Sequence, residues 1–201
     1  LAEDPTDLPG GTGRPVPGVQ IRIVDDAGRA APPGEVGELW IATPAAMDGY
    51  LGSADETARV LADGWFRTGD LARVAPEGYV AIVGRTRERI LRGGYSVFPA
   101  EVEAVLLAHP DVREAAVVGI PHPELGEEVA AFVALRDHAA LTVDALVAWC
   151  RDRLAAFKYP RRVAVLPALP RSATGKVLKS RLVAEASAGD GQLTPSGAPP
   201  A

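Results

Sequence analysis

The chain has 201 residues, of which 47% are hydrophobic and 23% are charged, so its length and composition are those of one or two globular domains. With 21 Lys and Arg against 26 Asp and Glu residues, the formal net charge is −5, which argues against a general role on nucleic acid or on an anionic membrane surface. The single cysteine, Cys150, excludes an internal disulfide, and no apolar run reaches the roughly 20 residues of a membrane helix, so we expect a cytoplasmic protein without a membrane span.

The first part of the chain predicts a small antiparallel β unit. Residues 1–18 are too rich in Gly and Pro for regular structure, and we expect a loop there. Val19, Ile21 and Ile23 alternate with polar residues, and this period of two is typical of a half-buried strand. Short apolar runs between turn residues predict further strands at 36–41, 71–74 and 79–83, and a short helix is predicted at 55–61.

A basic, glycine-containing segment, 84–103, separates this β unit from the rest of the chain. Gly93 and Gly94 supply backbone that can take positive φ or let another molecule approach closely. Pro99 suits the first position of a helix. On charge alone, the simplest interpretation is a solvated loop between two domains. The charge comes from four arginines within eight positions, namely Arg85, Arg87, Arg89 and Arg92.

After this segment the apolar pattern predicts a compact α+β domain with a three-stranded sheet and packed helices. One helix starts at Pro99, and a second follows Thr142, whose side chain is placed to cap it. Cys150 falls in the apolar stripe of the second helix, so we interpret it as a core residue and not as a nucleophile. From Ser187 onward, small residues, Gly and Pro predict a disordered tail. The predicted strands are 115–120, 129–135 and 162–166, and a last helix is predicted at 176–185.

Two glycine-containing stretches do not match a nucleotide-binding motif, and the three histidines do not match a metal site. The stretch 173–176 lacks the first Gly and the final Ser or Thr of a phosphate-binding P-loop. The stretch 10–13 has neither a preceding strand nor the third glycine of the dinucleotide fingerprint. The histidines have no ligand spacing, so no metal is assigned to the chain itself; they are His109, His122 and His138.

Three isolated polar residues, Asp70, Arg85 and Lys176, each lie within a distinctive short sequence. Taken singly, each has an equally good structural interpretation: Asp70 as a turn residue, Arg85 as a surface charge and Lys176 as a solvated lysine. Taken together with their neighbours, they resemble the C-terminal third of the AMP-forming acyl-CoA synthetase and nonribosomal adenylation superfamily, which also contains the luciferases. The resemblance spans 13–182 and is carried by four motifs: Gly37-Glu38-Leu39-Trp40-Ile41 through Gly49-Tyr50-Leu51, Thr68-Gly69-Asp70-Leu71, the segment 84–103, and Pro170 to Leu182.

The resemblance implies ATP binding. Asp70 would hold the ribose hydroxyls and Arg85 would contact the same nucleotide. Lys176 would place positive charge against the α-phosphate and carboxylate oxygens while an acyl-adenylate forms. The family's phosphate loop, its acid pocket and the Glu that helps bind Mg²⁺ have no counterpart in this sequence. The Mg²⁺ site and the choice of carboxylic acid would therefore belong to an N-terminal domain that is missing here.

The resemblance also implies a mobile lid domain and coenzyme A. Family members rotate their C-terminal domain between two half-reactions about a residue that corresponds to Arg87. Asp or Lys is usual at that position, so the arginine is a departure that affects the details of the rotation. In the rotated state Gly93 and Gly94 would line the pantetheine channel, and the remaining contacts with coenzyme A would come from Leu125, Phe157 and Arg161.

The implied organisation is an α+β chain in three parts: 1–86 as the end of the large adenylation domain, 87–186 as the lid and 187–201 as the tail. The implied function is that of an acid–CoA ligase, with a carboxylic acid, ATP, coenzyme A and the missing N-terminal domain as partners. The chain alone is expected to be inactive. Two alternatives stay open, a carrier-protein-loading adenylation enzyme and a non-catalytic truncated module that binds coenzyme A or a partner protein.

Overall fold

The chain folds into two compact units in its computed structural model, which describes residues 11–137, 139–187 and 194–195. Unit 1 extends to Arg87, and unit 2 begins at Glu88. Each unit has its own β-sheet and its own hydrophobic core. Among the residues described, no helix is long and apolar enough to cross a lipid bilayer.

Unit 1 is an antiparallel sheet of six strands with one short helix, which confirms the predicted β unit. The strand order is β1-β6-β5-β3-β2, and β4 pairs with β5. The elements are β1 (Gly11–Gly13), β2 (Gln20–Val24), β3 (Gly37–Ala42), α1 (Ala54–Val60), β4 (Leu61–Ala62), β5 (Trp65–Val74) and β6 (Val80–Arg85). The predicted loop at 1–18 is wrong for β1, where Thr12 donates its hydroxyl to the Val80 carbonyl oxygen at 3.1 Å. A Gly-rich strand of three residues has no alternation to detect.

One face of the unit 1 sheet carries a small apolar core. Leu39, Ala72 and Val80 are buried at its centre. Partly buried aliphatic residues surround them: Ile21, Ile23, Ile41, Val74 and Ile82. The alternating strand positions carry cation–aromatic pairs, with Arg22 4.3 Å from the ring centre of Trp65 and Arg67 4.6 Å from that of Trp40. The period of two that predicted these strands therefore separates an apolar face from a polar, aromatic one.

Unit 2 is the predicted α+β domain, a six-stranded sheet with three α-helices in its described part. The strand order is β12-β11-β10-β7-β8, and β9 pairs with β10. All pairs are antiparallel except β10 with β11. The elements are a 3₁₀ turn (Thr86–Glu88) that spans the unit boundary, β7 (Ile90–Arg92), β8 (Tyr95–Val97), α2 (Pro99–Leu107), β9 (Val112–His122), β10 (Gly126–Leu135), α3 (Val143–Arg151), β11 (Arg162–Val165), α4 (Lys179–Ser187) and β12 (Thr194–Pro195).

Strand β10 is buried on both of its faces. Val129, Ala131 and Val133 pack in one cluster with apolar residues of α2 and α3. Phe132 packs in a second cluster with Leu182 of α4. The sheet of unit 2 therefore lies between helices, and this explains why β10 is apolar at every position from 129 to 135 instead of alternating.

The sheet of unit 2 is larger than the sequence analysis predicted. The three predicted strands are present as β9, β10 and β11, and β7, β8 and β12 add to them. Strands of two or three residues are too short to show an apolar period. The predicted tail, 187–201, lies largely outside the described residues; Ser187 ends α4, and Thr194–Pro195 pair with β11.

The last helix begins at Lys179, so the prediction that it begins at Lys176 is wrong. Gly175 takes a φ of +82°, which ends any helical path through it. Arg171 and Val177 form an antiparallel bridge, and the Leu178 amide donates to the Pro170 carbonyl oxygen at 2.8 Å. Lys176 therefore lies in a turn that precedes α4.

Helix α3 confirms the predicted cap and the predicted core cysteine. Burial raises the pKa of the Cys150 thiol to about 12, so the thiol is protonated at neutral pH and is no nucleophile. The Thr142 hydroxyl oxygen accepts a hydrogen bond from the Ala145 amide at 3.2 Å. This bond satisfies one of the amide groups that the first turn of a helix leaves without a partner.

Replacing Thr142 by alanine is expected to lower the free energy of unfolding of unit 2 by about 1 kcal/mol, because the Ala145 amide loses its acceptor. Urea unfolding of the chain, followed by helical circular dichroism, measures the loss. Thr142→Ser keeps the acceptor oxygen and is the matched control, expected within about 0.5 kcal/mol of the wild type. An alanine variant as stable as the serine variant would show that the cap contributes nothing.

Candidate functional site

Asp70 and Arg85 lie opposite each other on β5 and β6 and form an ion pair. The two residues are register partners of the antiparallel pair, and Arg85 Nε lies 2.7 Å from Asp70 Oδ1. The Asp70 side chain is 25% exposed and that of Arg85 52%. A carboxylate has about four acceptor positions, so one ion pair does not exhaust it. Asp70 can therefore accept further hydrogen bonds from a bound ligand.

A bulge in β5 presents Asp70. Residues 68–70 lie opposite the single residue Leu39 of β3, so β5 carries extra length at this point. The Thr68 hydroxyl donates to the Leu39 carbonyl oxygen at 2.7 Å and accepts from the Asp70 amide at 3.0 Å. Gly69 takes a φ of +70°, a conformation that strains any residue with a Cβ. The Thr-Gly-Asp motif is thus explained by local structure, because its residues form and stabilise the bulge.

Glu38 supports the bulge from β3, a role that its place in the 37–41 motif did not reveal. Its Oε1 accepts a hydrogen bond from the Gly69 amide at 3.3 Å, and its Oε2 accepts from the Trp40 indole at 2.9 Å. The carboxylate therefore ties the bulge to the neighbouring strand. A charged residue inside the otherwise apolar run 37–41 was the signal that could have identified it.

Lys176 lies at the exposed end of a closely bonded turn. The Ser172 amide donates to the Lys176 carbonyl oxygen at 2.8 Å, and the Lys176 amide donates to Ser172 Oγ at 3.2 Å. The Arg171 guanidinium donates to the Gly175 carbonyl oxygen at 2.7 Å. The Lys176 side chain is exposed and, within the part of the chain that the structure describes, forms no ion pair. The turn therefore holds the lysine backbone in place while its charge stays available.

The turn of the β7–β8 hairpin is made by Gly93 and Gly94. Their φ values are +55° and +84°, the two consecutive positive values that a two-residue hairpin turn of type I′ requires. The Gly93 amide donates to the Leu125 carbonyl oxygen at 2.9 Å. A Cβ on Gly93 would lie 3.3 Å from Leu125 Cδ2, whereas a Cβ on Gly94 would meet no atom within 4 Å. The structure thus brings Gly93 and Leu125 together and leaves Gly94 open.

Phe157 joins this neighbourhood by stacking on Tyr95. The two ring centres are 4.6 Å apart and the planes make an angle of 23°. Tyr95 is the more accessible ring, with 59% of its surface exposed, whereas Phe157 is partly buried. Tyr95 was not among the predicted site residues. An aromatic residue directly after the paired glycines was the available signal.

Arg161 is largely engaged in contacts within unit 2. Its guanidinium donates to the Tyr159 hydroxyl and, at 3.0 Å, to the Ala156 carbonyl oxygen. Burial, and then the nearby charge of Arg92, lower the pKa of Arg161 below its ordinary value. Arg161 Nε is buried and has no hydrogen-bond partner among the residues described. One donor of this arginine is therefore unfilled.

A buried ion pair anchors the hairpin to the central strand. Arg92 Nε and Nη2 donate to Glu128 Oε1 and Oε2 at 2.6 and 3.0 Å. The Arg92 side chain is 15% exposed and that of Glu128 8%. Glu128 Oε1 also accepts from the Val129 amide at 2.8 Å. The pair fixes β7, which leads into the Gly93–Gly94 turn, on β10.

Arg87 occupies the middle of the 3₁₀ turn at the unit boundary, and its side chain is exposed. The histidines serve turns: Nδ1 of His109 accepts from the Asp111 amide, and Nδ1 of His122 accepts from the amides of Glu124 and Leu125, all at 3.2 Å. His138 lies outside the described residues. Across 11–137 and 139–187, no group of three or more His, Cys, Asp or Glu side chains is arranged to hold a metal ion.

Two family models match the chain and define its class. The model described as the AMP-binding enzyme C-terminal domain matches residues 101–176, and the model described as the AMP-binding enzyme matches residues 1–51. The chain belongs to the AMP-binding, adenylate-forming enzyme family that contains the acyl-CoA synthetases. The resemblance inferred from its four motifs is confirmed.

Named relatives are ligases that act on carboxylic acids. The chain is 43% identical over 180 residues to the fatty acid–[acyl-carrier-protein] ligase ScoC of Streptomyces coeruleorubidus, covering 87% of this chain and 35% of that protein. It is 41% identical over 177 residues to the long-chain-fatty-acid–CoA ligase of Salmonella typhimurium, covering 88% and 31%.

The solved structure of the o-succinylbenzoate CoA synthetase of Bacillus subtilis, in complex with its acyl-adenylate intermediate, superimposes with a TM-score of 0.80. It is 35% identical to this chain, and the match covers 86% of this chain and 35% of that one. Other matching structures are complexes with ATP or AMP. The chain thus spans about a third of the length of these relatives.

Proposed function

We propose that the chain is the C-terminal part of an acid–CoA ligase, which activates a carboxylic acid with ATP as an acyl-adenylate and then transfers the acyl group to coenzyme A. The observation that carries this proposal is the Lys176 turn. It holds an exposed lysine whose charge is not neutralised by any other described residue. Acyl-adenylate formation develops negative charge on phosphate and carboxylate oxygens, and a positioned cation stabilises that charge.

Unit 1 supplies the nucleotide contacts in this proposal. Asp70 accepts hydrogen bonds from the ribose hydroxyls, since a carboxylate can accept from two donors while it stays paired with Arg85 at 2.7 Å. Arg85 orients Asp70 and contributes positive charge beside the nucleotide. The bulge at 68–70 fixes Asp70 before the ligand arrives, so little conformational entropy is lost there on binding.

Mg²⁺ fits this proposal only through groups outside the chain. The described residues offer no cluster of acidic or imidazole side chains for it. When bound, Mg²⁺ would neutralise phosphate charge. The residues of this chain act on the nucleotide at the Asp70–Arg85 pair and at Lys176, and we place the metal ligands and the acid pocket in an N-terminal domain.

Unit 2 supplies the contacts with coenzyme A in this proposal. Gly93 and Gly94 form the channel wall together with Leu125, whose Cδ2 lies 3.3 Å from the place of a Cβ on Gly93. A Cβ on Gly94 would stand in otherwise open space and narrow the channel. Phe157 contributes through its stack with Tyr95, whose more exposed ring meets the nucleotide end of coenzyme A. Arg161 contributes the positive charge of its guanidinium, because its Nε is buried and lies out of reach of a ligand. A cytoplasmic location, where ATP and coenzyme A are both available, completes the proposal.

A carrier protein is the second candidate acceptor. The observation that favours it is the 43% identity to a fatty acid–[acyl-carrier-protein] ligase, which is as high as the 41% identity to a CoA ligase. Both acceptors present a pantetheine thiol, so the Gly93–Gly94 turn suits either one. They differ at the nucleotide end, which only coenzyme A possesses.

Pyrophosphate exchange on the intact ligase polypeptide that carries this chain, with a panel of carboxylic acids, tests the proposed function. Acid-dependent exchange is expected in the intact polypeptide, and none above background in the 201-residue chain, because one lysine cannot replace the missing phosphate-binding groups. Thioester formation with coenzyme A or with a holo-carrier protein then identifies the acceptor. No exchange with any acid would favour a non-catalytic module, and exchange by the chain alone would contradict its proposed place in a larger enzyme.

Arg87 is the proposed hinge about which unit 2 reorients between the half-reactions. Replacing it by proline is expected to slow thioester formation from supplied acyl-adenylate roughly tenfold or more, and adenylation less, because proline holds φ near −65°. Rapid-quench measurement of the two half-reactions checks this. Arg87→Ala removes the side chain without restricting φ and is the matched control, expected near the wild-type rate. Thioester formation unchanged by proline would place the hinge at another residue.

A further inference from the structure

A partly buried ion cluster joins three separate segments of unit 2. Lys179 Nζ lies 2.9 Å from Glu88 Oε2 and 2.9 Å from Glu103 Oε1. Glu88 is the first residue of unit 2, Glu103 belongs to α2, and Lys179 is the first residue of α4. The Lys179 side chain is 27% exposed, that of Glu103 20% and that of Glu88 35%. A single ammonium group thus links the start of the unit to two of its helices.

Each end of this cluster is fixed to the fold. Glu103 Oε1 also accepts from the Val117 amide of β9 at 2.8 Å, so its carboxylate is held by α2 and by the sheet. Leu182, one turn after Lys179, is fully buried in the core. Burial by itself would lower the pKa of Lys179, but hydrogen bonds and charge from Glu103 and Glu88 outweigh it and raise that pKa, so the lysine stays charged.

The cluster lies beside two residues that the proposed function uses. Glu88 directly follows Arg87, the proposed hinge. Lys179 follows Lys176 by three residues, and the short connection between them is closed by the bond from the Leu178 amide to the Pro170 carbonyl oxygen at 2.8 Å. The position of the Lys176 turn is therefore tied, through Lys179, to the chain segment at the unit boundary.

We propose that Lys179 is a positioning residue that holds the Lys176 turn at a fixed place relative to Glu88, the residue after the hinge. This inference rests on the proposed function. Without Lys179, two carboxylates that share one cation are left facing each other, and they repel. Glu88 is the freer of the two, because Glu103 keeps its bond to Val117, so the segment at the boundary is released. The Lys176 ammonium group is then positioned less accurately relative to the reacting oxygens. A misplacement of about 1 Å in a catalytic group can lower the rate of the reaction roughly a hundredfold.

The first test measures the anchor without any activity. Hydrogen–deuterium exchange of backbone amides at 86–92 in the 201-residue chain is expected to become about five- to tenfold faster in Lys179→Met. Glu88→Gln, which leaves the Lys179–Glu103 pair in place, is expected to give the same local effect. Arg181→Met is the matched control, since it removes an exposed ion pair with Glu185 from the same helix. Unchanged exchange at 86–92 in both test variants would overturn the proposal, as would equal acceleration in the control.

The second test uses the two half-reactions of the intact ligase. Lys179→Met is expected to lower the adenylation rate about ten- to a hundredfold and to change thioester formation from supplied acyl-adenylate less than about twofold. In a Lys176→Ala background, Lys179→Met should add no further loss, because a positioning residue acts through the group that it positions. Lys179→Arg, which keeps the charge, should recover most of the rate.

Additive losses from Lys176→Ala and Lys179→Met would overturn the proposal, and so would a loss of the same size in Arg181→Met. A wild-type polypeptide without acid-dependent pyrophosphate exchange would instead reject the proposed function. In that case the exchange measurement at 86–92 still decides whether Lys179 anchors Glu88. The failures of the two proposals are therefore distinguishable.

Discussion

Replacing Lys176 by alanine in the intact ligase is expected to lower the rate of acyl-adenylate formation about 10²- to 10³-fold, the size of effect seen when one positioned group that stabilises developing charge is removed. Thioester formation from supplied acyl-adenylate is expected to stay near the wild-type rate, because in the proposed function the lysine acts only in the first half-reaction. In the described part of the structure, this substitution removes one charge without breaking an ion pair. Lys176 is exposed and forms no ion pair within 11–137 or 139–187, so the alanine leaves no other charge without a partner.

Single-turnover measurement of each half-reaction separates this outcome from a general loss of structure. Arg181→Ala, which removes another exposed cation a few residues further along, is the control and should leave both rates within about twofold. Equal loss of both half-reactions in Lys176→Ala would reject the assignment of the lysine to adenylation. An unchanged adenylation rate would reject its role in stabilising charge.

Replacing Arg92 by methionine is expected to lower the free energy of unfolding of unit 2 by about 3–5 kcal/mol. The substitution leaves the Glu128 carboxylate, 8% exposed, without its two guanidinium hydrogen bonds. The remaining bond from the Val129 amide at 2.8 Å and the nearby charge of Arg161 do not replace these two bonds. Because Arg92 also anchors the strand that leads into Gly93 and Gly94, the hairpin is expected to loosen as well.

Urea unfolding followed by helical circular dichroism measures this change, since three of the four α-helices in the described chain belong to unit 2. Lys158→Met is the control, because its ion pair with Glu101 is more exposed and should contribute below about 1 kcal/mol. Arg92→Met combined with Glu128→Met removes both charges and is expected to regain most of the stability. A double variant no more stable than Arg92→Met would show that lost packing, and not the unpaired charge, causes the effect.

Local patterns determined much of this fold before any tertiary contact was known. The alternation of Val19, Ile21 and Ile23 predicted β2, because one face of its sheet is apolar and the other carries arginine and tryptophan. Thr142 predicted the start of α3, because a helix leaves amide groups without partners that a hydroxyl can satisfy. Gly93 and Gly94 indicated a backbone that can take positive φ or let another molecule approach closely, and their hairpin turn uses the positive φ.

The residues of the candidate site could be predicted only where they lie within a recognisable sequence motif. Asp70, Arg85 and Lys176 are marked by the motifs around them, and these motifs form the bulge at 68–70 and the turn before α4. The pairing of Asp70 with Arg85 could not be predicted in the same way. Nothing in the sequence states that Asp70 faces Arg85, because strand register depends on where the bulge lies and where the β5–β6 turn begins.

The tertiary structure alone decided which distant residues meet. Tyr95 stacks on Phe157 and Arg92 pairs with Glu128, although neither pair has a spacing that a helix or a strand would mark. Lys179 was not singled out from the sequence, and only the fold places Glu88 and Glu103 within 2.9 Å of it. Propensity and apolar period act over a few neighbouring residues, whereas these contacts join segments up to 91 positions apart. They form only because the cores on both faces of β10 fix where every helix and hairpin of unit 2 must lie.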